Sequence, residues 1–544
     1  MKLELKAALE HILNLLKLPA LQVVIELPKN PNFGDFSSNI AMKLSREVKS
    51  EPIEIAENIK ESLTLEYPNL IESIDVVRPG FLNINVNKKY ICSKIETIIK
   101  SGDLFGYSKY GKGKRALVEF VSANPTGPLT VGHGRGAILG DVISNILKWN
   151  GYSVEREYYY NNAGRQMEKL GLSVQARYLE LLGDKIDFPE DGYEGTYIKN
   201  IAQEVLNEFG DQLRDSKDLL LFKEVAEEYI FSIIKQTLKK LDIKFNNYFN
   251  EKSLFQDGSI DQIVEILSDK NLIYKKDGAT WFKASAIGKE QDRVIIKSTG
   301  EPTYRLPDIA YHRNKLERGY DLIIDVLGAD HMDAFPDVLA AVEQMDYPIK
   351  KIKVLIHQFV TLIKEGKPVK MSTRKAQFVM LDNLIEDVGI DVVRYFFLMR
   401  GMNSHLNFDL DLARDESDEN PVYYLQYANA RLSNILKNAI ELGYDLNLNK
   451  TDFTLLSIDL EIDMIKTLLD FPFIIEKILD SLEPQGLAIY LNNLAGKFHR
   501  YYAKERVLTN NNDLTAARLQ LIRSIQIVIK NGLKILNISA PDRM

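Results

Sequence analysis

A chain of 544 residues is long enough for three or four domains, and 45% apolar with 27% charged residues is the balance of an ordinary globular protein. No run approaches the roughly 20 uninterrupted apolar residues of a membrane span, and the N-terminal MKLELKAALEHILNLLKL carries Glu4, Lys6 and Glu10, which does not suit a signal peptide, so a cytoplasmic protein is expected. Cys92 is the only cysteine and the formal net charge is minus 7, which excludes a disulfide framework or a cysteine-based zinc site within the chain and gives no whole-chain support for a nucleic-acid partner.

Residues 1–108 read as a separate small α+β module. PKNPNFGDFSSNIAMKL is a turn cluster feeding a helix, with Ser37 or Ser38 as N-cap, and VVRPGFLNINV is a strand, a Pro79-Gly80 turn and an alternating strand. GDLFGYSKYGKGK, rich in Gly and Lys, is the linker onward. Arg115 to Val121 then suits a buried parallel strand, which stops at a cluster of Ser, Asn, Pro, Thr and Gly. From Gly132 the period changes: Ile138, Val142 and Ile146 form one i, i+4 row and Leu139, Ile143 and Leu147 the adjacent one, so a helix with a broad apolar face runs to Gly151. SVEREYYY is the next strand, completing a βαβ unit.

The Gly-rich turn GHGRG lies where that helix begins, so backbone N–H groups and the positive end of the helix dipole face the carboxyl edge of the sheet. That is a phosphate seat, and His133 at its mouth can donate to a phosphate oxygen as negative charge builds up. A Gly-rich βα turn with a satisfied histidine has the same appearance. The longer run NPTGPLTVGHGRGA resembles the first signature of class I aminoacyl-tRNA synthetases, in the form found in arginyl-tRNA synthetases. It takes in Ala123, Asn124, Pro125, Thr126, Gly127, Pro128, Leu129, Thr130, Val131, Gly132 and His133, with Thr130 where the first histidine of the motif usually stands. The resemblance implies adenylyl transfer, with ATP held by Gly132, His133, Gly134 and Gly136 and with His133 and Thr130 catalytic. Either the Thr130 hydroxyl stands in for the missing imidazole, or His133 and the backbone carry the phosphate largely unaided. The two N-terminal segments resemble the family's additional domain, which implies contact with the elbow of a tRNA around Asn32, Phe33, Asp35, Phe36 and Asn83.

YYYNNAGRQMEKL leads from a strand into a helix and is similar to the family's YxNDAGxQ segment, with Asn162 in place of Asp; Asn161 to Gln166 are expected at the pocket edge. Residues 179–254 are helical and charged, an insertion between two halves of a doubly wound sheet. Such an insertion can exist for packing alone; the resemblance implies that it helps hold the acceptor end of the tRNA. The α/β pattern resumes with ATWFKAS, DRVIIK and YDLIIDVLGADHMDAF. Tyr304 and Asp308 stand at i and i+4 near a helix start, and a carboxylate beside an aromatic ring is the natural receptor of a guanidinium, although an Asp in that place is also a common cap. STGEPTYRLPDIAYHRNKLERGYD resembles the family closely, which implies that Glu119, Asn124, Tyr304, Asp308 and His331 surround arginine. Asp308, with Glu119 as a candidate second carboxylate, is assigned to the guanidinium and Asn124 to the α-amino or carboxylate end. In VLGADH, Gly328 allows close backbone approach, and Asp330 and His331 face the carboxyl edge where ligands bind in open α/β sheets. The resemblance places that segment at the adenosine; a core histidine is the other reading of His331.

KPVKMSTRK resembles the second class I signature, the loop at 370–375, preserved as Lys370, Met371 and Ser372 with Thr373 in the fourth place. Lys370 is expected at the β and γ phosphates and Ser372 beside them. Arg374, Lys375, Arg135 or a magnesium ion are the candidates to replace the last lysine of the motif. From 401 the chain alternates long helices with short loops, a helix bundle. NPVYYLQYANARL puts Tyr423, Tyr427 and Arg431 on one stripe, and residues 485–544 hold four Lys and five Arg against three acidic residues, a net of plus 6. LAGKFHRYYAKERVL and the terminal APDRM resemble the family's anticodon-binding domain, which implies RNA contacts at Tyr501, Tyr502, Lys504 and Arg506.

On these motifs the chain is identified as a member of the arginyl-tRNA synthetase family. The expected fold is multidomain α/β: a Rossmann-like doubly wound catalytic domain over 109–400, preceded by the α+β domain 1–108 and followed by an all-α bundle over 401–544. The resemblance implies a monomer that joins L-arginine to tRNA(Arg) through an arginyl-adenylate, using ATP as its Mg2+ complex, with no zinc, no membrane and no covalent enzyme intermediate. A nucleotidylyltransferase of the same superfamily and a catalytically silent RNA-binding relative are the alternatives, and arginine-dependent pyrophosphate exchange separates them.

Overall fold

The computed structural model describes residues 1–28, 30, 33–369, 379–446, 448 and 451–544. Its central sheet has five parallel strands, β1 (Arg115–Glu119), β2 (Ser153–Tyr160), β3 (Asn247–Asn250), β4 (Leu322–Gly328) and β5 (Ile352–His357), in the spatial order β5-β4-β1-β2-β3. Side chains alternate across it: Ala116, Val118 and Ile324 enter one hydrophobic core, while Leu117, Ile323 and Ile352 enter a second on the other face. Burial on both faces explains why β1 and β4 read as largely apolar runs. The chain order reverses between β4 and β1, so a crevice opens there at the carboxyl edge.

Helix α1 (Val131–Trp149) follows β1, and α2 (Gly164–Leu181), α3 (Thr196–Phe209) and α4 (Leu220–Lys240) lie between β2 and β3. Strand β3 falls inside the stretch read from sequence as a helical insertion. NYFN is four residues long and polar at both ends, so only its pairing with Glu157 to Tyr160 reveals it. Before β4 come a small antiparallel sheet (Ile273–Lys276, Ala279–Phe282, Arg293–Ile296) and α5 (Arg305–Glu317); after β5 come α6 (Leu381–Val388) and α7 (Ile390–Leu398). The C-terminal bundle is α8 (Pro421–Glu441), α9 (Asp459–Ser481), α10 (Gln485–Lys504) and α11 (Asn512–Leu536). Among the described residues no helix is long and apolar enough to cross a membrane.

The N-terminal module is a three-stranded antiparallel sheet, Phe36–Ser38, Phe81–Val86 and Ile71–Val77 in that order, packed with helices. Asp35 accepts the Val86 N–H at 3.0 Å and pairs with Lys466 on α9, so it ties the module to the bundle. Arg394 on α7 joins three other regions: fully buried, it donates to the Leu536 carbonyl at 3.0 Å, the Leu241 carbonyl at 2.9 Å and the Asp141 carboxylate on α1.

Candidate functional site

Beyond Glu119 the chain turns sharply. The Ser122 N–H donates to the Phe120 carbonyl at 3.0 Å, and Val121 and Ser122 take φ of +69° and +45°. A β-branched residue in that region is strained. The turn swings the Ser122 hydroxyl back onto Glu119 at 2.8 Å and under the Tyr159 N–H at 3.2 Å. The chain then enters α1 at Val131, with Leu129 to Val131 paired to Val379 to Leu381: Leu381 N–H donates to Leu129 at 2.9 Å and Val131 N–H to Val379 at 3.3 Å.

At this helix start the Thr130 backbone N–H donates to His133 Nδ1 at 3.1 Å. A nitrogen that accepts carries no proton, so the ring's N–H is on Nε2. Burial lowers the imidazole pKa, with Asp330 opposing it, so His133 presents one neutral N–H donor. The Thr130 hydroxyl lies 3.2 Å from the same Nδ1 and therefore faces His133. The glycines divide. Gly132 is exposed, whereas a Cβ on Gly134 would lie 2.6 Å from Leu381 Cδ1 and one on Gly136 2.8 Å from His357 Nε2, so the latter two serve close packing. Arg135 is no spare charge for phosphate: fully buried, it donates to the carbonyls of Gln358 (2.7 Å), Ser404 (3.0 Å) and Gly401 (3.0 Å), and burial pushes its pKa down to about 10. Lys370, Met371 and Ser372, with Arg374 and Lys375, lie outside the described residues.

Across the crevice, Asp308 sits in the first turn of α5. Burial, with Glu119 and Glu251 adding like charge and His312 and His331 opposing, pushes its carboxyl up to about 6. Among the described residues no group donates a hydrogen bond to it. Glu119 is differently placed: one oxygen takes the Ser122 hydroxyl, and the other pairs with Lys315, a fully buried ammonium that also donates to Asp325 at 2.6 Å. Burial alone would lower the Lys315 pKa, but Asp325 and Glu119 outweigh it and raise it. His312 lies against the Asp308 carbonyl at 2.6 Å and Asp325 at 3.1 Å. Glu251, just past β3, takes the Tyr159 hydroxyl at 2.5 Å and the Asn161 amide at 2.6 Å; burial raises its pKa despite those bonds. Asn124, half-buried, accepts from the Asn161 N–H at 3.0 Å and donates to Gln166 at 3.1 Å.

The other expected contacts are spread more widely. Tyr304 is 59% exposed and lines a cavity of about 510 Å³ with Trp281, Arg293, Lys297 and Arg305, a lining that does not include Asp308. The His331 side chain is 54% exposed and Asp330 73%, with 3.7 Å between them, so His331 is no core histidine. Gly328 is extended, at φ −71° and ψ 162°. Three residues near the site carried no sequence signal: Glu251, Lys315 and His357. His357 sits against Arg135 and Gly136, and burial followed by the Arg135 charge pushes its pKa down to about 4. Among the described residues no group of three or more His, Cys, Asp or Glu is arranged to hold a metal ion.

Farther away, Tyr423 and Tyr427 stack at 6.3 Å, His499 stacks on Tyr427 at 5.9 Å, and the Arg431 guanidinium lies 4.6 Å from the Tyr427 ring and 5.2 Å from the Tyr502 ring. Lys504 and Arg506 are exposed. Tyr501, read as a stacking surface, is instead fully buried with its hydroxyl on Glu461 at 3.2 Å, because it shares the inner face of α10 with Leu494 and Phe498. Asn83 likewise is buried, in the middle strand of its sheet, while Phe33 is 49% exposed.

Comparison with known proteins covers the whole chain. Residues 94–394 match the family described as tRNA synthetases class I (R), catalytic domain; residues 2–86 match the arginyl tRNA synthetase N terminal domain, and residues 425–544 the DALR anticodon binding domain. The arginine-tRNA ligase of Desulfotalea psychrophila is 49% identical over 521 residues, 96% of this chain and 94% of the relative. That of Salinibacter ruber is 46% identical over 540 residues, 96% of each. The solved Thermus thermophilus arginyl-tRNA synthetase superposes with a TM-score of 0.78 over 100% of both chains at 22% identity, a likeness of fold.

Proposed function

The chain belongs to the arginyl-tRNA synthetase family and joins arginine to tRNA for protein synthesis, and from that premise we propose how its residues divide the work. Asp308 takes the substrate guanidinium, with Glu251 as the second acidic group and Glu119 held beneath by Lys315. Asn124, fixed between Asn161 and Gln166, meets the α-amino or carboxylate end. The observation that carries this reading is the Asp308 carboxyl itself, half-buried beside further carboxylates and given no donor by the described residues. A planar cationic ligand supplies the missing donors and the missing charge.

On the other wall, the start of α1 and the His133 Nε2–H receive the ATP phosphates. The arginine carboxylate oxygen attacks the α-phosphorus, the bond to the departing pyrophosphate breaks, and arginyl-adenylate forms. A hydroxyl of the terminal tRNA ribose then attacks the carbonyl carbon and AMP leaves. The enzyme contributes positioning and electrostatic stabilisation, with no covalent intermediate. Magnesium arrives on the triphosphate, and Lys370 and Ser372 belong to the same phosphate-binding set. Phe33 on the N-terminal domain, and Tyr423, Tyr427, Arg431, Lys504 and Arg506 on the bundle, are the RNA-facing groups of a cytoplasmic, monomeric enzyme with domains near 1–108, 109–400 and 401–544. ATP-pyrophosphate exchange, run with each amino acid and with and without tRNA, tests the assignment. Exchange confined to arginine agrees with it, and exchange independent of arginine contradicts it.

A further inference from the structure

We infer that the helical insertion grips the phosphate seat from two sides, so that Tyr197 and Asp382 are positioning residues for the ATP half of the reaction. This rests on the reading of His133 and the start of α1 as the ATP-phosphate site. Tyr197, at the start of α3, donates its hydroxyl to the Thr126 carbonyl at 2.9 Å. Burial raises the pKa of the phenol, so it remains a donor. The Thr126 N–H bonds in turn to the Asn124 carbonyl at 2.8 Å, so the grip falls on the turn that carries the chain from β1 to α1.

The second grip comes from the last turn of α4. The Lys240 ammonium lies 2.6 Å from one oxygen of Asp382, in the first turn of α6, and the Thr237 hydroxyl lies against the other. Asp382 follows Leu381, whose N–H donates to the Leu129 carbonyl at 2.9 Å and whose side chain packs on the backbone of Gly134. Any shift of α6 therefore moves Leu129 or Gly134, the residues that bracket Thr130 and His133. Both grips end on residues 126–134, and neither bonds to Asp308 or Glu251. A purely structural tie would disturb the two substrates alike; the Asp382 grip acts on the ATP side alone, because a seat displaced by a fraction of an ångström loses reaction geometry without touching the guanidinium pocket, whereas the Tyr197 grip also reaches Asn124 through Thr126.

The test is ATP-pyrophosphate exchange by the full chain with arginine and tRNA present. In Asp382→Asn, KM for ATP rises or kcat falls by roughly three- to tenfold while KM for arginine stays within about twofold, and Tyr197→Phe shows a loss of the same size for ATP. Lys240→Met shows the same loss, and Lys240→Arg, which keeps the ion pair, recovers most of it. ATP parameters within about twofold of wild type in folded variants overturn the inference, as does a KM for arginine that moves in step with that for ATP in Asp382→Asn or Lys240→Met. Should Asp382→Asn fail to fold, the two Lys240 variants decide, because that side chain is 44% exposed. A wild-type chain without arginine-dependent exchange would instead contradict the site assignment, before any variant is compared.

Discussion

Around Asp308, the carboxylates of Glu119 and Asp325 share one buried ammonium, Lys315, Asp325 also meets the His312 imidazole, and Glu251 takes two neutral donors, so the protein holds surplus negative charge in place before any ligand arrives. Across the crevice the proposed phosphate seat offers a helix start and an imidazole whose pKa burial lowers, and Arg135, two residues beyond His133, is spent on three carbonyls. On the proposed assignment, the difference follows from what each wall receives. A guanidinium carries fixed charge and needs fixed anions. A triphosphate brings magnesium with it and needs directed donors where charge develops, which neutral dipoles supply without a standing desolvation penalty.

Removing the open anion should break this contrast most severely. Asp308→Asn is expected to lower kcat/KM for arginine by on the order of a thousandfold, about 4 kcal/mol, with KM for ATP little changed, because a buried guanidinium loses its counter-charge. Steady-state exchange kinetics read both constants, and equal losses for the two substrates would make Asp308 structural. On the neutral wall, His133→Ala should cost about 3 kcal/mol, roughly a hundredfold in kcat, as for one preorganised donor. A drop below about threefold in a folded variant would remove His133 from the transition state.

A gentler perturbation is pH. Without ligand, the Asp308 carboxyl, raised from 3.8 to about 6, contributes stability that is present below its unfolded value and lost as pH climbs through about 6. Arginine binds the ionised form and reverses the trend. The arginine-induced rise in Tm should therefore be large at pH 7.5 and small at pH 5, with affinity falling up to about tenfold per pH unit below 6. An arginine-induced shift independent of pH between these values would mean that another group sets the charge. The smallest expected effect lies farthest from the crevice. Tyr501→Phe should lose about 1 kcal/mol of stability, from the buried bond to Glu461, and leave KM for tRNA unchanged.

The neutral wall was more legible in the sequence than the charged one. Its parts are consecutive: a strand, a Gly-rich turn and a helix read from Gly132 on the rows of Ile138 and Leu139, and the structure starts α1 at Val131. The tautomer of His133 was not legible, because it depends on a bond from the Thr130 backbone N–H that composition does not show. Nor was the left-handed turn at Val121, since a β-branched residue is the last one expected there. On the charged wall Asp308 stood out by its spacing from Tyr304, and the two do lie one helical turn apart, but the Tyr304 ring opens to solvent. The partners that leave Asp308 open come from β1, β4, α5 and the segment after β3, four places that only tertiary structure brings together. Tyr501 misled for the opposite reason, since a Tyr-Lys-Arg cluster in a basic helix looks the same whether the ring points out or in.

The account turns on fixed surplus negative charge that selects a cation, and calorimetric titration of the full chain at pH 7.5 with arginine and with citrulline measures it directly. Citrulline has nearly the same shape but an uncharged urea in place of the guanidinium. Arginine should bind with a clear heat and citrulline at least about a hundredfold more weakly, as expected when a buried carboxylate is left without its counter-charge. Citrulline binding within about tenfold of arginine would contradict the account, because shape alone would then explain the selection.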